Sequence, residues 1–423
     1  MSLSPDMQTR FRAPQRSDPI PVDEALAIVL ANVPCLPREM VSLSDALGRT
    51  LSERIVAPFN LPPFPNSAMD GYAVRSQDTQ GASRTQPRHL ALVEDVPAGS
   101  LPRKLLQPGQ ASRVMTGAPI PAGADAVAKV EQTEPQQGHV LVFSPVETGK
   151  DIRPAGEDVA EGQVAIEAGS LIRPSETGML AALGFDRVPV AKRPAVALIT
   201  TGAELVFPGQ TLAPGQIYNA NSFSLSAQIR EAAGEIVSTL HCPDSPVAFE
   251  KALAASPDAD LLFASGAVSA GLYDVVRDFI LERATVHFYR VAMRPGWPTL
   301  FATYAGKPFF GIPGNPVSSM VAFELLVRPA LLRMQGRRAL HRMQVPSIVE
   351  DTIPSRPEAR QYLRAWTEFK DGAFHSRLVG PQGSARLSTM VRANSLLIVP
   401  PGVEPIPPGQ RLSALLTEAR EVQ

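Results

Sequence analysis

The chain has 423 residues, 44% hydrophobic and 19% charged, with a net charge of -1. That is the balance of a globular protein too long for one core, and domains of about 100–200 residues predict two to four. Near-neutral charge excludes a broad nucleic-acid or anionic-membrane surface, because both need clustered excess cations.

Two cysteines outside any CxxC pair and six histidines without HExxH spacing give no disulfide framework and no zinc signature. The N-terminus lacks an apolar core of signal length, and no run of ~18 apolar residues occurs, so a cytoplasmic protein without a membrane span is expected. Of the 40 basic residues, 33 are Arg and 7 are Lys.

Residues 1–20 read as a tail. In "PVDEALAIVLANV", Pro21 opens a helix with acids in its first turn and Leu26, Val29 and Leu30 along one face. "SLSDALGRTLSERI" predicts a second short helix capped by Ser42 or Ser44. From Val56 to Pro145, short apolar runs ("HLALVEDV", "ADAVAKVEQ", "HVLVFSP") alternate with Gly-Pro turns, the pattern of a small antiparallel β domain. "RPSETGMLAALG" predicts a helix with Ser175 as its cap.

"PAVALITTG" opens a different texture. Its near-continuous apolar run reads as a parallel strand buried on both faces. Helical and strand patterns then alternate through "SFSLSAQIREAAG", "EIVSTL", "SPVAFEKALAA", "DLLFASG", "YDVVRDFILE", "VHFYRVAM" and "PFFGI" to the long helix "PVSSMVAFELLVRPALLRM". That alternation predicts a doubly wound α/β sheet over 192–335, with short strands and turns making a β domain over 336–423.

In open α/β sheets, ligands bind beyond the carboxyl ends of the strands. Three such ends carry polar, glycine-bearing turns: "TTGAE", "ASGAVSAGLYD" and "GIPGNPVS". Glycine lets backbone N–H groups approach a phosphate, and hydroxyls and a helix N-terminus add to this. Each turn read alone is a plain strand-to-helix connection; the three together predict a phosphate-bearing ligand. None matches a P-loop or a full GxGxxG. Glu204 and Asp274, each beside such a loop, either hold Mg²⁺ or compensate a helix dipole. Asp244 or Ser245 caps the helix that begins at Pro246. In "VAMRPGWPTLF", two prolines stiffen a turn that presents Arg294 and Trp297.

The phrases "NSAMDGYAVR", "VMTGAPIPAGADAV", "IRPAGEDV", "TTGAEL", "SGAVSAG", "MRPGWP", "GIPGNPVS" and "GPQGSARLS" occur in order. Together they resemble the molybdopterin molybdenumtransferase family, called MoeA in bacteria and including the gephyrin E domain. The resemblance runs from about residue 20 to the C-terminus. It implies an elongated, multi-domain α/β and β homodimer in which the α/β domain binds molybdopterin and small β domains flank it. A discontinuous linker and dimerisation domain (21–55 and 146–191) would surround a small β domain (56–145). The α/β cleft would face the "NSAMDGYA" domain of the partner subunit.

The implied reaction inserts molybdenum from molybdate into adenylylated molybdopterin, with Mg²⁺, giving molybdenum cofactor and AMP. Contacts with molybdopterin adenylyltransferase or molybdoenzyme chaperones are implied as well. Carried over by position, Glu204 and Asp274 match the Mg²⁺-holding acids, and Asp158 and Asp244 match further functional acids. Substrate-binding positions are Ser67, Asp70, Thr116, Thr201, Gly202, Ser265, Gly266, Ser269, Gly271, Pro313, Gly314, Asn315 and Pro316. Arg294, Arg364 and Ser384 match molybdate-contacting positions, with Arg360 beside Arg364.

The chain departs from the family pattern at Pro65, Ala203, Ala267 and Ser245, and at Trp297, where a second lysine is usual. Arg for Lys at 294 preserves an anion-binding cation. Trp297 removes a charge and offers one N–H donor. A second reading therefore stands beside the first: a divergent paralogue that binds molybdopterin or its precursor as carrier or partner, with weak or altered metal insertion.

Overall fold

The computed structural model describes residues 18–266, 275–402 and 404–418. The chain divides into two compact units. One comprises Met40–Leu47 and Glu53–Val188, and the other the remaining residues.

In the larger unit the apolar run at Ala195 becomes a strand, Ala195–Thr201, in which every residue is buried. Alternation sends Val196 and Leu198 to one face and Ala197 and Ile199 to the other, each into its own apolar cluster. Phe263 and Phe310 join the first cluster, and Leu262 and Phe309 the second. Each such aromatic side chain contributes about 2 kcal/mol by leaving water.

The sheet runs in the order Glu235–Cys242, Ala195–Thr201, Leu261–Ser265, Lys307–Ile312, Leu300–Tyr304, Thr285–Tyr289. Its first four strands are parallel, as the helix–strand alternation predicts; Leu300–Tyr304 runs against them, and Thr285–Tyr289 pairs antiparallel with it. The Leu300–Tyr304 strand was not foreseen. It joins its neighbour through Ala305 and Gly306, both at positive φ, a two-residue turn whose twist closes a hairpin.

The closing helix also differs from its expected form. Between Pro316–Ala322 and Arg328–Met334 it widens into a π turn over Phe323–Val327. Pro329 supplies the reason, since it lacks an N–H and its ring crowds the carbonyl four residues earlier.

The C-terminal strands form a second sheet in which Arg360–Lys370 pairs with both Ala373–Leu378 and Ser395–Val399, so the sheet closes into a small barrel. Closure leaves these strands no free edges.

In the smaller unit, six strands run in the order Ala126–Lys129, Gly71–Val74, Gln110–Val114, Arg88–Val96, His139–Val142, Thr133–Gln136. All pairs are antiparallel except Arg88–Val96 with Gln110–Val114, a parallel pair the sequence reading did not anticipate. The expected helix at "SLSDALGRTLSERI" is only a 3₁₀ turn, Leu43–Asp45. Ser42 spends its hydroxyl on the Asp45 carboxylate at 2.6 Å rather than on a backbone N–H. Gly48, at positive φ, then turns the chain away. Ser175 is not a cap either. Arg173 holds that position, and Glu176 reaches back to its N–H at 2.9 Å and to its guanidinium. Among the described residues, no helix is long and apolar enough to cross a membrane.

Candidate functional site

The carboxyl ends of three neighbouring parallel strands open into one cavity of about 1170 Å³. Thr201 and Gly202 come from the first, Ser265 and Gly266 from the second, and Pro313 to Pro316 from the third. The loops meet backbone to backbone. A Cβ on Gly266, at φ +105°, would lie 2.7 Å from Thr201 Oγ1 and 2.8 Å from Thr201 O. Only glycine fits there, and its N–H is held by Ile312 O at 3.1 Å. These loops begin the three glycine-bearing turns singled out in the sequence, the second of which is described only as far as Gly266. Ser269, Gly271 and Asp274 lie outside the described residues.

Glu204 and Asp244 stand at the rim of this cavity. The Asp244 carboxyl is pushed above the usual carboxylate range, first by desolvation and then by the Glu204 carboxylate. The Thr201 hydroxyl and the Ala203 N–H oppose that rise. Asp244 is free for this position because Ser245 caps the Pro246–Ala254 helix, accepting from Ala248 N–H. Two carboxylates this close repel unless a cation lies between them. Among the described residues no group of three or more Asp, Glu, His or Cys could hold a metal ion.

Arg364 stands in the wall that the barrel contributes. It lies mid-strand in the barrel and is fully buried. Its Nε donates to Thr389 Oγ1 and its Nη2 to Gly383 O, each at 3.1 Å. Nη1 has no partner, and no carboxylate pairs with the side chain among the described residues. Burial alone pushes this guanidinium down to about 10. A buried, uncompensated cation is costly, and an anion in the cavity would offset that cost. Gln382 fixes the backbone of Arg364 on both sides, accepting from its N–H at 2.8 Å and donating to its carbonyl at 3.1 Å. Ser384 lines the same wall.

Arg294 enters the cavity from the Pro-Gly turn, its guanidinium 5.6 Å from the centre of the half-buried Trp297 ring. The turn is closed by backbone bonds from Val291 and Thr299 N–H to Trp297 O, both 3.0 Å. The indole thus takes a place beside the cation that it also steadies.

The structure does not gather every predicted residue here. Ser67, Asp70, Thr116 and Asp158 belong to the smaller unit. Asp70 Oδ1 accepts from both the N–H and the hydroxyl of Thr116 at 2.8 Å, which holds its carboxyl below the usual range. The buried Ser67 donates to Met69 O. Arg360 grips Asp23 through two 2.8 Å bonds. It lines a second cavity of about 990 Å³ together with Arg328, Arg342 and Glu324.

Sequence reading missed Asn219, Asn221 and Arg356, all of which line the first cavity. The signal for the asparagines was the phrase "IYNANSFS" ahead of a helix, which reads locally as a cap and nothing more.

Family models match almost the whole chain: MoeA N-terminal region (domain I and II) over 20–184, probable molybdopterin binding domain over 197–333, and MoeA C-terminal region (domain IV) over 347–417. Molybdopterin molybdenumtransferase 2 of Mycobacterium tuberculosis is 40% identical over 88% of this chain and 93% of its own length. Molybdopterin molybdenumtransferase of Bacillus subtilis is 34% identical over 95% of each. The crystal structure of a molybdopterin biosynthesis moeA protein from Pyrococcus horikoshii superposes with a TM-score of 0.82 at 30% identity, over 94% of this chain and all of the other. The fold is the multi-domain MoeA fold, an α/β domain flanked by β domains. The chain belongs to the MoeA family of molybdopterin molybdenumtransferases, with a role in molybdenum cofactor biosynthesis.

Proposed function

We propose that the chain is a transferase that inserts molybdenum into molybdopterin, taking adenylylated molybdopterin and molybdate and releasing molybdenum cofactor and AMP. The observation that carries this reading is Arg364: a buried guanidinium with a free Nη1 and, among the described residues, no carboxylate, in the same cavity as three strand-end loops of phosphate-binding type. The loops supply N–H and hydroxyl donors for the pyrophosphate-type group. Arg364, Ser384 and Arg294, all in the lining of that cavity, would hold the tetrahedral oxyanion.

Glu204 and Asp244 fit a hard divalent cation. They are adjacent, carboxylate-only and mutually repelling, and Mg²⁺ usually takes one or two protein carboxylates and fills its shell with phosphate and water. Bound there, Mg²⁺ would neutralise charge on the bridging phosphates. The carboxylates themselves would orient a water toward the adenylate phosphorus.

The test is AMP release from adenylylated molybdopterin in the presence of molybdate and Mg²⁺. Wild type is expected to release AMP, and Glu204→Gln is expected to lose at least about a hundredfold in rate. Binding without AMP release in the wild type would overturn the reading in favour of a pterin carrier.

Trp297 supports a narrower second reading, a retuned oxyanion affinity, because an indole rather than a second cation sits beside Arg294. Trp297→Lys is expected to tighten molybdate binding about fivefold at low salt, with the gain shrinking as salt rises. Unchanged affinity would remove Trp297 from the oxyanion site.

The reading extends to a homodimer in which loops 62–75 and 113–127 of one copy face the cavity of the other. Analytical ultracentrifugation showing only monomer at micromolar concentration would refute that part.

A further inference from the structure

Asn219 and Asn221 stand two residues apart at the start of the Ala220–Glu231 helix. Asn219 caps it, accepting from Ser222 N–H at 3.1 Å, and donates to Thr200 Oγ1 at 2.7 Å. Both ends of its amide are therefore in use. Asn221 is different. It is 9% exposed and lines the cavity, and its Nδ2 faces three acceptors: Gly314 O at 2.8 Å, Ser265 Oγ at 2.9 Å and Ser319 Oγ at 3.2 Å.

Gly314 decides which end of the amide points there. Two carbonyl oxygens 2.8 Å apart with no hydrogen between them would repel, so the nitrogen must face Gly314 O. The two serines agree with this. Each hydroxyl donates to Pro313 O, at 3.3 Å from Ser265 and 2.8 Å from Ser319, which leaves its oxygen to accept from Asn221. One amide thereby ties the second and third strand-end loops to the helix.

That orientation leaves Asn221 Oδ1 buried with no partner. A buried carbonyl without a donor is disfavoured, and native proteins keep few of them. In a cavity wall, such an acceptor is satisfied when a ligand brings the donor. Phosphate and molybdate near neutral pH offer mainly acceptors. A pterin ring offers N–H and amino donors.

We propose that Asn221 is a specificity-determining residue: its Oδ1 accepts a hydrogen bond from an N–H of the ligand's heterocycle, while its Nδ2 holds the loops that cradle the ligand's phosphate. This rests on the reading of the cavity as a pterin-phosphate site.

The test compares two probes by isothermal titration calorimetry, 6-hydroxymethylpterin diphosphate and inorganic pyrophosphate. Wild type is expected to prefer the pterin compound, and Asn221→Ala to cut that preference about tenfold. Asn221→Asp keeps an oxygen at the acceptor position while setting a second one against Gly314 O. It should therefore weaken both probes yet keep the wild-type preference. The Asp variant also carries the test if the Ala variant fails to fold.

An equal fall for both probes in Asn221→Ala, or a preference lost in Asp as in Ala, would overturn the proposal and leave Asn221 a loop tie. Wild type binding pyrophosphate and the pterin compound equally would overturn the ring contact alone. Wild type binding neither would overturn the pterin-phosphate reading and this inference with it.

Discussion

In the cavity at the strand ends, Arg364 is fully buried with no carboxylate beside it among the described residues, whereas in the second cavity Arg342, Arg328 and Arg360 each have an acidic partner. There Arg342 donates to Glu324 at 2.9 Å and to Glu231 at 2.6 Å, and Arg328 stands 3.7 Å from Glu324. Arg360 forks onto Asp23. The two cavities lie in one compact unit and are of similar size. What separates them is whether the chain supplies its own counter-charge. A paired arginine helps hold the fold, while an unpaired buried one is kept at a cost that an anionic ligand recovers.

The largest break in this comparison is at Arg364. Replacing it with Leu should weaken molybdate binding about a hundredfold, measured by calorimetry. Unfolding stability should change by no more than about 1 kcal/mol in either direction, because the lost cation had no partner charge. A large loss of stability with unchanged molybdate binding would place Arg364 with the structural arginines.

Glu324→Gln tests the other side. Its carboxyl is buried, and burial raises it above the usual range even with two arginines nearby. Neutralising it removes the counter-charge that Arg328 and Arg342 share, leaving Glu231 for Arg342 alone, and about 3 kcal/mol of stability should be lost in urea unfolding. Ligand binding at the strand ends should stay as in the wild type. Loss of binding at full stability would make the second cavity part of the function.

The smallest effect concerns the exposed edge of the second cavity. Hydrogen bonds from Arg360 hold the Asp23 carboxyl below its usual range. Its folded value is depressed, so the stabilisation is present above an unfolded value of about 4 and is lost as pH falls through the folded value. Asp23→Asn should remove about 0.5 kcal/mol at neutral pH, with wild type and variant converging in acid. A gap that persists at low pH would assign the effect to packing rather than charge.

Much of this was legible along the chain, and the reason differs by element. The Ala195–Thr201 strand could be read because a strand buried on both faces must be apolar at every position. The first two strand-end turns could be read because Gly202 and Gly266 take positive φ, and a Cβ on Gly266 would also lie 2.8 Å from a neighbouring backbone oxygen, demands that only glycine meets. Trp297 stood out against the ordered phrases that announce the family. By contrast, the Leu300–Tyr304 hairpin depended on two residues in left-handed conformation, one of them Ala305, which carries no turn signal of its own.

The sequence by itself determined the alternation of elements, the family and the location of the strand-end cavity, because these rest on local periodicity and on ordered motifs. Only the tertiary structure decided which polar groups are spent and which are free. The folded chain bonds Thr116 to Asp70 and Arg360, the neighbour of Arg364 in the basic phrase, to Asp23. Arg364 and Asn221 were left with unused donor and acceptor atoms inside one cavity. Partners brought from 337 residues away in the chain, as Asp23 is to Arg360, leave no trace in local spacing. Burial, which turns an idle hydrogen-bonding atom from harmless to costly, belongs to the folded molecule alone.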